Sequence, residues 1–290
     1  MTRLALLLMA ALCCPAMAAA EGFVDADAGV LFNSNLGNAQ FSPDVKSDTA
    51  FTAAASAGAV SYFGDGDSDS VTIAADARSE LYGRYSGMNN IALGASLSVR
   101  RKMGLGLTEP WISLTGSAER LGYQNDVRDG WLYRLDAAAG KRLGERWNVR
   151  ADFTIERRTA DQSVPSGEDL PGSVFQLGNR EFALKADFAL SEKMLLSGGY
   201  ARRVGEVAST TALETGIDDF SSAETRDTAL GPGGVAYRLR AASNIFSLGF
   251  TWSISQHAWF TVNGQRQLTH AAGDNSYNKS VVTAAYAYSF

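Results

Sequence analysis

The stretch YNKSVVTAAYAYSF, from Tyr277 to Phe290, alternates between two kinds of side chain in steps of two. A period of two residues is that of a β-strand, whose successive side chains point to opposite faces. One face suits lipid, and the other suits a polar or small-residue interior. The apolar face carries Val282, Ala284, Tyr286, Tyr288 and Phe290.

This segment resembles the closing strand of Gram-negative outer-membrane β-barrels, in which a terminal Phe follows aromatics two and four residues upstream. Phe290, Tyr288 and Tyr286 match that pattern. The resemblance implies a location in the bacterial outer membrane, with the lipid bilayer and lipopolysaccharide as partners. It also implies that the barrel-assembly machinery recognises the chain through these three aromatics. The resemblance extends over residues 21–290 and is to the general class, because no motif identifies a subfamily.

The beginning of the chain has the features of a secretory signal peptide. Arg3 precedes an apolar run from Leu4 to Cys14, and an Ala-x-Ala sequence follows at Ala16 to Ala18. We therefore expect a signal peptide at residues 1–20 and a mature barrel at residues 21–290. The apolar run is too short for a membrane-spanning helix, which needs about 20 apolar residues. A lipoprotein alternative is disfavoured because Leu12 precedes Cys13, where a small residue is wanted.

Composition restricts the function further. The chain has 26 Lys and Arg against 31 Asp and Glu, which argues against a nucleic-acid surface. Both cysteines lie in the expected signal peptide, so the mature chain would have no disulfide and no thiolate metal site. An apolar content of 46% without a long apolar run is typical of a barrel, in which lipid-facing and lumen-facing residues alternate.

Similar alternation recurs along the chain and predicts an all-β fold, a transmembrane antiparallel up-and-down barrel of about twelve strands with periplasmic termini. Polar stretches at 33–48, 159–175 and 205–234 are expected to be long outer loops, and 144–146, 191–193 and 255–257 short periplasmic turns. A soluble sandwich or lipocalin-like barrel would not account for the aromatic strand ends and this loop asymmetry.

Two details of the strands are specific enough to test. The third strand is expected from Val71 to Tyr85, joined to the fourth through a tight connection at Gly87 to Asn89. In the tenth strand, apolar residues change parity between Ala241 and Phe246, which predicts a β-bulge or a break.

Charged residues fall on the inward face of the predicted strands. Simple hairpin registers place Arg134 opposite Glu156, Glu181 opposite Arg203, and Asp76 opposite Arg100, which are favourable cross-strand pairs. They either tie strands together in a filled interior or line a water-filled passage. The candidate pore-lining residues are Asp76, Arg78, Glu80, Arg84, Arg100, Arg134, Asp136, Arg150, Asp152, Glu156, Glu181, Lys185 and Arg203.

Catalytic and metal sites are poorly supported. His270 with Ser276 or Ser280 is the one arrangement that would suit an outer-membrane lipid hydrolase, but no motif of such families surrounds it. Asp65 to Asp69 carries alternating carboxylates, as calcium loops do, yet it departs from an EF-hand at Ser70 and Asp76. We therefore predict no enzymatic activity, no cofactor and no metal.

Three functions remain open at this stage. The leading hypothesis is a narrow porin-like channel for small polar or charged solutes. The alternative is a non-conducting barrel whose loops act in binding, adhesion or assembly, and the third is an outer-membrane lipid hydrolase. The acidic loop 205–234 would bind calcium or a cationic partner, or would fold inward and constrict the mouth.

Overall fold

The structure is a computed structural model, and it describes residues 20–161, 173–212 and 216–290. The predicted signal peptide lies outside these residues, apart from residue 20. Single-turn 3-10 helices occur at Ser42–Asp44, Ser86–Met88, Asp126–Arg128 and Asp218–Phe220. The strands are β1 Glu21–Asn33, β2 Asp48–Phe63, β3 Asp69–Tyr82, β4 Asn90–Lys102, β5 Trp111–Tyr123, β6 Gly130–Leu143, β7 Trp147–Ala160, β8 Gly178–Ser191, β9 Met194–Thr211, β10 Glu224–Arg226, β11 Val235–Ser253, β12 Ala258–Ala271 and β13 Ser276–Ser289.

Twelve of these strands form a closed antiparallel barrel, and the short β10 adds to β11 above the end of β12. Each wall strand pairs with its neighbours in sequence, except that β9 pairs directly with β11. The barrel closes where β1 meets β13, with Ala28 opposite Tyr286. The prediction of an all-β, up-and-down barrel of about twelve strands is confirmed.

The outer surface of the barrel is apolar. Side chains at alternate positions along every wall strand point away from the lumen, and Ile73, Leu93 and Leu248 are each more than half exposed. Such a continuous apolar surface is unfavourable in water. It suits a bilayer, because a closed barrel satisfies its backbone hydrogen bonds within the wall. No helix in the described ranges is both long and apolar enough to cross a membrane.

The two ends of the barrel differ. We call the end with the connections 34–47, 83–89, 124–129, 161–177, 212–234 and 272–275 the loop end, and the end where β1 begins and β13 finishes the turn end. The connections at the turn end are 64–68, 103–110, 144–146, 192–193 and 254–257. This asymmetry is the one predicted from the sequence.

Strand β3 ends earlier than predicted, and one predicted pair is therefore wrong. β3 stops at Tyr82, and residues 83–89 form a longer connection that contains a 3-10 helix. The shifted register places Asp76 opposite Gly94, while Arg100 lies opposite Ser70 and Ser113. Arg84 lies in the connection rather than on the inner face of a strand.

The predicted bulge in the tenth strand is also wrong, because β11 runs without interruption and keeps one register with β9 throughout. The change of apolar parity has another cause. Tyr237 and Leu239 point inward like Ser243, but at the loop end the interior is packed with loops and is apolar. Strand β9 likewise extends to Thr211, into the stretch predicted as loop 205–234.

The most deeply buried part of the molecule is at the loop end. The largest fully buried side chains belong to loops or to the loop ends of strands: Tyr237, Phe175, Leu239, Val174, Asn35 and Asp227. One apolar cluster joins three connections, with Leu36 from 34–47, Met88 from 83–89 and Leu230 from 212–234. The loops thus form a cap across the lumen, while the middle of the barrel has no comparable core among the described residues.

Candidate functional site

The inner wall carries a ladder of ion pairs between neighbouring strands. Arg134 Nη2 lies 3.0 Å from Glu156 Oε2 across β6 and β7, and Arg203 Nε lies 2.8 Å from Glu181 Oε2 across β9 and β8. Both pairs were predicted and are confirmed. A further acid, Asp152, is shared by Arg150 at 3.0 Å and Lys185 at 3.2 Å. The register explains these contacts, since Arg150 lies directly opposite Lys185.

Other predicted candidates bind neutral partners. Ser96 donates a hydrogen bond to Asp76 at 3.2 Å, and Thr154 donates one to Asp136 at 2.6 Å. Glu80 accepts a hydrogen bond from the Tyr82 hydroxyl at 2.9 Å. Near the turn end, the guanidinium of Arg100 stacks 4.4 Å from the centre of the Trp111 ring. Arg84 is exposed in the connection 83–89, away from the ladder.

Sequence reasoning missed one member of the ladder, Glu119, which pairs with the predicted Arg78. Arg78 Nη2 lies 2.6 Å from Glu119 Oε2, which crosses from β3 to β5 over the intervening β4. The facing of the fifth strand was not predicted. The exposure of Ile112 and Leu114 on the outer surface shows that odd-numbered residues of this strand, including Glu119, face inward.

The ladder is solvated, and its cations project further than its carboxylates. In the five ion pairs just described, the Arg and Lys side chains are 33–47% exposed. Their carboxylate partners are only 15–20% exposed. Within these five pairs, the acids therefore lie closer to the wall, and the cations extend further toward the lumen.

The cap is organised around one buried carboxylate. Asp227, from the connection 212–234, is fully buried, and its Oδ2 lies 2.5 Å from Nη2 of Arg128 in the connection 124–129. The same carboxylate accepts hydrogen bonds from Asn125 at 3.0 Å, from Thr210 at 2.8 Å and from the backbone N–H of Ala229 at 3.1 Å. Asp227 thus links two loops to the end of β9.

Further contacts bring the first loop onto the cap. The backbone N–H of Thr210 donates to the carbonyl of Gly37 at 2.7 Å, and the Asn38 side chain donates to the carbonyl of Ala208 at 3.0 Å. Arg128 also stacks 4.8 Å from the centre of the Phe175 ring. The cap therefore joins loops from several sides of the barrel through both polar and aromatic contacts.

The charge of Asp227 is stabilised by its surroundings. Burial by itself raises the pKa of a carboxyl group, because it disfavours the charged form. At Asp227 the nearby Arg128 charge and the hydrogen bonds from Arg128, Thr210 and Ala229 outweigh burial, so its pKa is lowered from the ordinary 3.8. Asp227 is consequently ionised at neutral pH, and the ion pair with Arg128 is intact.

Sequence reasoning did not single out Arg128 or Asp227. Both lie in connections with no periodic pattern, and the two residues are 99 positions apart along the chain. The only related sequence signal was the acidic loop 205–234, for which inward folding was one of two open alternatives. The structure packs Ala223, Ala229 and Leu230 of this loop into apolar clusters at the loop end.

The enzymatic and metal candidates have definite places as well. His270 and Ser276 lie opposite each other where β12 joins β13 at the loop end, and both are exposed on the outer surface. Across the described ranges, no group of three or more His, Cys, Asp or Glu side chains is arranged to hold a metal ion.

Comparison with known proteins supports the fold. An outer-membrane channel from Pseudomonas putida F1 superposes with a TM-score of 0.56 at 12% sequence identity, covering 94% of this chain and 97% of that one. At this identity the similarity concerns the fold alone, which is that of an outer-membrane β-barrel.

Two further solved structures are similar at a lower level. The KdgM porin, in complex with disordered oligogalacturonate, has a TM-score of 0.45 and 7% identity over 92% of this chain and 99% of that one. Outer-membrane phospholipase A from Escherichia coli has a TM-score of 0.44 and 11% identity over 91% of this chain and 92% of that one. No protein-family model matches the chain, and no curated protein sequence matches it.

Proposed function

We propose that this protein is a narrow channel in the bacterial outer membrane for small polar or charged solutes. The observation that carries this proposal is the solvated ladder of ion pairs on the inner wall, below the cap. A barrel that served only as a rigid support would be expected to fill its interior with close-packed side chains. Ion pairs whose cations are 33–47% exposed instead favour a water-filled passage.

A recess in the wall at the loop end is a candidate entry for solutes. Strand β8 begins at Gly178, whereas its neighbours β7 and β9 continue to Ala160 and Thr211, which leaves a notch in the wall. A cavity of about 1020 Å³ occupies this notch, between Gly178, Gly205 and Arg238. We propose this recess as the entry beside the cap, because solutes admitted there would not need to displace the whole cap.

The outer surface near the loop end supports the expected orientation, with this end facing the exterior. Exposed arginines point outward there and alternate with aromatic residues: Arg157 lies opposite Tyr133, Arg202 opposite Phe182, and Arg266 opposite Phe246. Guanidinium groups bind phosphate well, and aromatics prefer the membrane interface. This belt would suit the phosphate groups of lipopolysaccharide.

The proposal is tested by reconstitution of the purified, folded barrel in a planar bilayer, with single-channel conductance and ion selectivity as the readout. We expect discrete openings, and we expect Arg134→Gln to change the reversal potential in a salt gradient. The matched control is Lys141→Gln, which removes a cation from the outer face of the same strand. The absence of channel openings from protein verified as folded would contradict a charge-lined passage. Equal shifts of the reversal potential in the two variants would contradict it as well.

A second candidate, a lipid hydrolase, is favoured by one observation, the opposed positions of His270 and Ser276 on the outer surface. A histidine that activates a serine would need to lie within hydrogen-bond reach of its hydroxyl. The test is release of fatty acid from phospholipid vesicles by the wild type and by His270→Ala. Activity in the wild type that disappears in the variant would establish the hydrolase, and its absence from both would exclude it.

A further inference from the structure

A small cavity lies in the lumen directly beneath the cap. Its volume is about 210 Å³, and its lining comes from β7, β8, β9, β11, β12 and β13 together with the loops. Leu36 and Phe175 cover it from the cap side. Six charged side chains line it: Arg128, Glu156, Arg158, Arg203, Glu206 and Lys279.

Four of these charges are already engaged with partners. Arg128 pairs with Asp227, Glu156 with Arg134, and Arg203 with Glu181. Glu206 accepts a hydrogen bond from the backbone N–H of Gly178 at 2.9 Å and lies 3.8 Å from Arg238. The remaining two, Arg158 and Lys279, have no carboxylate within ion-pair distance among the described residues, so the cavity has an excess of positive charge.

Arg158 is held firmly in this position. Its guanidinium lies 5.3 Å from the ring centres of both Tyr123 and Phe175, and its Nη2 donates to the carbonyl of Arg128. Its Nε is buried and has no acceptor in the part of the chain described. A buried cation with an unused donor is costly unless another group satisfies it.

Lys279 supplies the second positive charge from β13. Its Nζ makes one long contact, 3.4 Å to Oδ1 of Asn38. An ammonium group has three donors, so it can bind a further acceptor. Neutral hydrogen-bonding side chains surround the two cations: Asn38, Asn179, Ser243 and Gln267.

We propose that this cavity binds a small oxyanion, a carboxylate or phosphate group carried by a hydroxylated molecule, between Arg158 and Lys279. The two cations neutralise the oxyanion, while the neighbouring amide and hydroxyl groups bind the hydroxyls of the same molecule. This inference rests on the proposed channel function only in taking the bound molecule as a permeating solute.

The experiment uses the full-length folded barrel in a zwitterionic or neutral detergent and a buffer free of phosphate and carboxylate. Inorganic phosphate and tartrate are titrated separately by calorimetry, with glycerol as a probe that has hydroxyls but no charge. We expect saturable binding of at least one of the two anions and none of glycerol. The anion that binds identifies which oxyanion the site prefers.

Variants locate the site within the barrel. Each of Arg158→Gln and Lys279→Gln should weaken binding about tenfold or more, because each removes one charge-assisted contact. Lys185→Gln is the matched control, since it removes a lumen cation outside the cavity and should leave the affinity unchanged. Should Arg158→Gln fail to fold, as judged by its heat resistance in detergent, Lys279→Gln decides alone.

The outcomes separate this inference from the channel function. No saturable binding of either anion, or equal weakening by Lys185→Gln, overturns the site even where the protein conducts ions in a bilayer. Anion binding that is lost in Lys279→Gln supports the site, even where a folded barrel shows no conductance and the channel proposal fails.

Discussion

The ion pairs Arg128–Asp227 and Arg134–Glu156 have the same chemistry in different surroundings. The first lies in the cap with its side chains 9% and 0% exposed, and the second lies on the wall with side chains 33% and 17% exposed. In the dry cap, loss of one partner leaves an uncompensated buried charge, whereas on the wall water compensates much of the loss. The cap pair should therefore contribute more to stability than the wall pairs, whose loss should have little effect on folding.

The largest effect is expected from Asp227→Asn, which leaves Arg128 buried without its counter-charge. Breaking one partner of a buried pair costs about 3–5 kcal/mol, and here the cost should fall on the cap rather than on the wall. We expect faster proteolysis of the connection 212–234 and a larger single-channel conductance. Glu156→Gln is the control and should change wall stability by less than about 1 kcal/mol.

A double variant sharpens the same comparison. Arg128→Met combined with Asp227→Asn removes both charges, so neither is left buried alone, and replacement of a whole buried pair is far less costly than removal of one partner. Protease resistance should recover partly relative to Asp227→Asn. Equal sensitivity of the single and double variants would mean that the ion pair does not determine the stability of the cap.

The pH dependence of the cap follows from the lowered pKa of Asp227. Because this pKa in the folded cap is below the ordinary 3.8, the stability that the ionised carboxylate contributes is fully present above 3.8. It is lost only as the pH falls through the lower, folded value. Protease resistance of the loops should therefore stay constant from neutral pH to about pH 5 and should fall in more acid solution. Loss of resistance between pH 7 and pH 5 would contradict this assignment.

Substitutions on the wall should have a smaller effect, on selectivity rather than on folding. Glu156→Gln frees Arg134 and should favour anions, whereas Arg134→Gln frees Glu156 and should favour cations. A few-fold change of the permeability ratio in opposite directions is expected, measured from reversal potentials. Shifts in the same direction would mean that the pair does not face the path of the ions.

Salt should produce the smallest change. The screening length falls from about 10 Å at 0.1 M to about 3 Å at 1 M salt. Any selectivity that the partly exposed wall charges produce should weaken over this range. Protease resistance of the cap should not change, because the Arg128–Asp227 pair is sheltered from solvent.

Local patterns explain which parts of the barrel were predictable. Alternation in β13 and its neighbours follows from lipid on one side and water on the other, and the hairpins that join β6 to β7 and β8 to β9 are short enough to fix the opposed partners. The pairs Arg134–Glu156 and Glu181–Arg203 were predicted for this reason. The pair of Asp76 with Arg100 was not correct, because a longer connection after Tyr82 has no unique register.

The candidate site shows the limit of such reasoning. Tyr237 and Leu239 suggested a bulge because an apolar side chain was taken to face lipid, whereas here the loops provide an apolar interior. Glu119 was missed because the facing of β5 was not predicted and because its partner Arg78 lies two strands away. Both errors arise where the environment of a residue depends on distant parts of the chain.

The sequence by itself determined the closed barrel, its loop asymmetry and the charge on its inner faces, because a strand between lipid and water imposes a period of two. Only the tertiary structure decided that the loops cover the lumen, that Asp227 meets Arg128, and that Arg158 and Lys279 share a cavity. The physical reason is distance along the chain. Contacts between loops form only after barrel closure has brought their ends together, and no local periodicity encodes them.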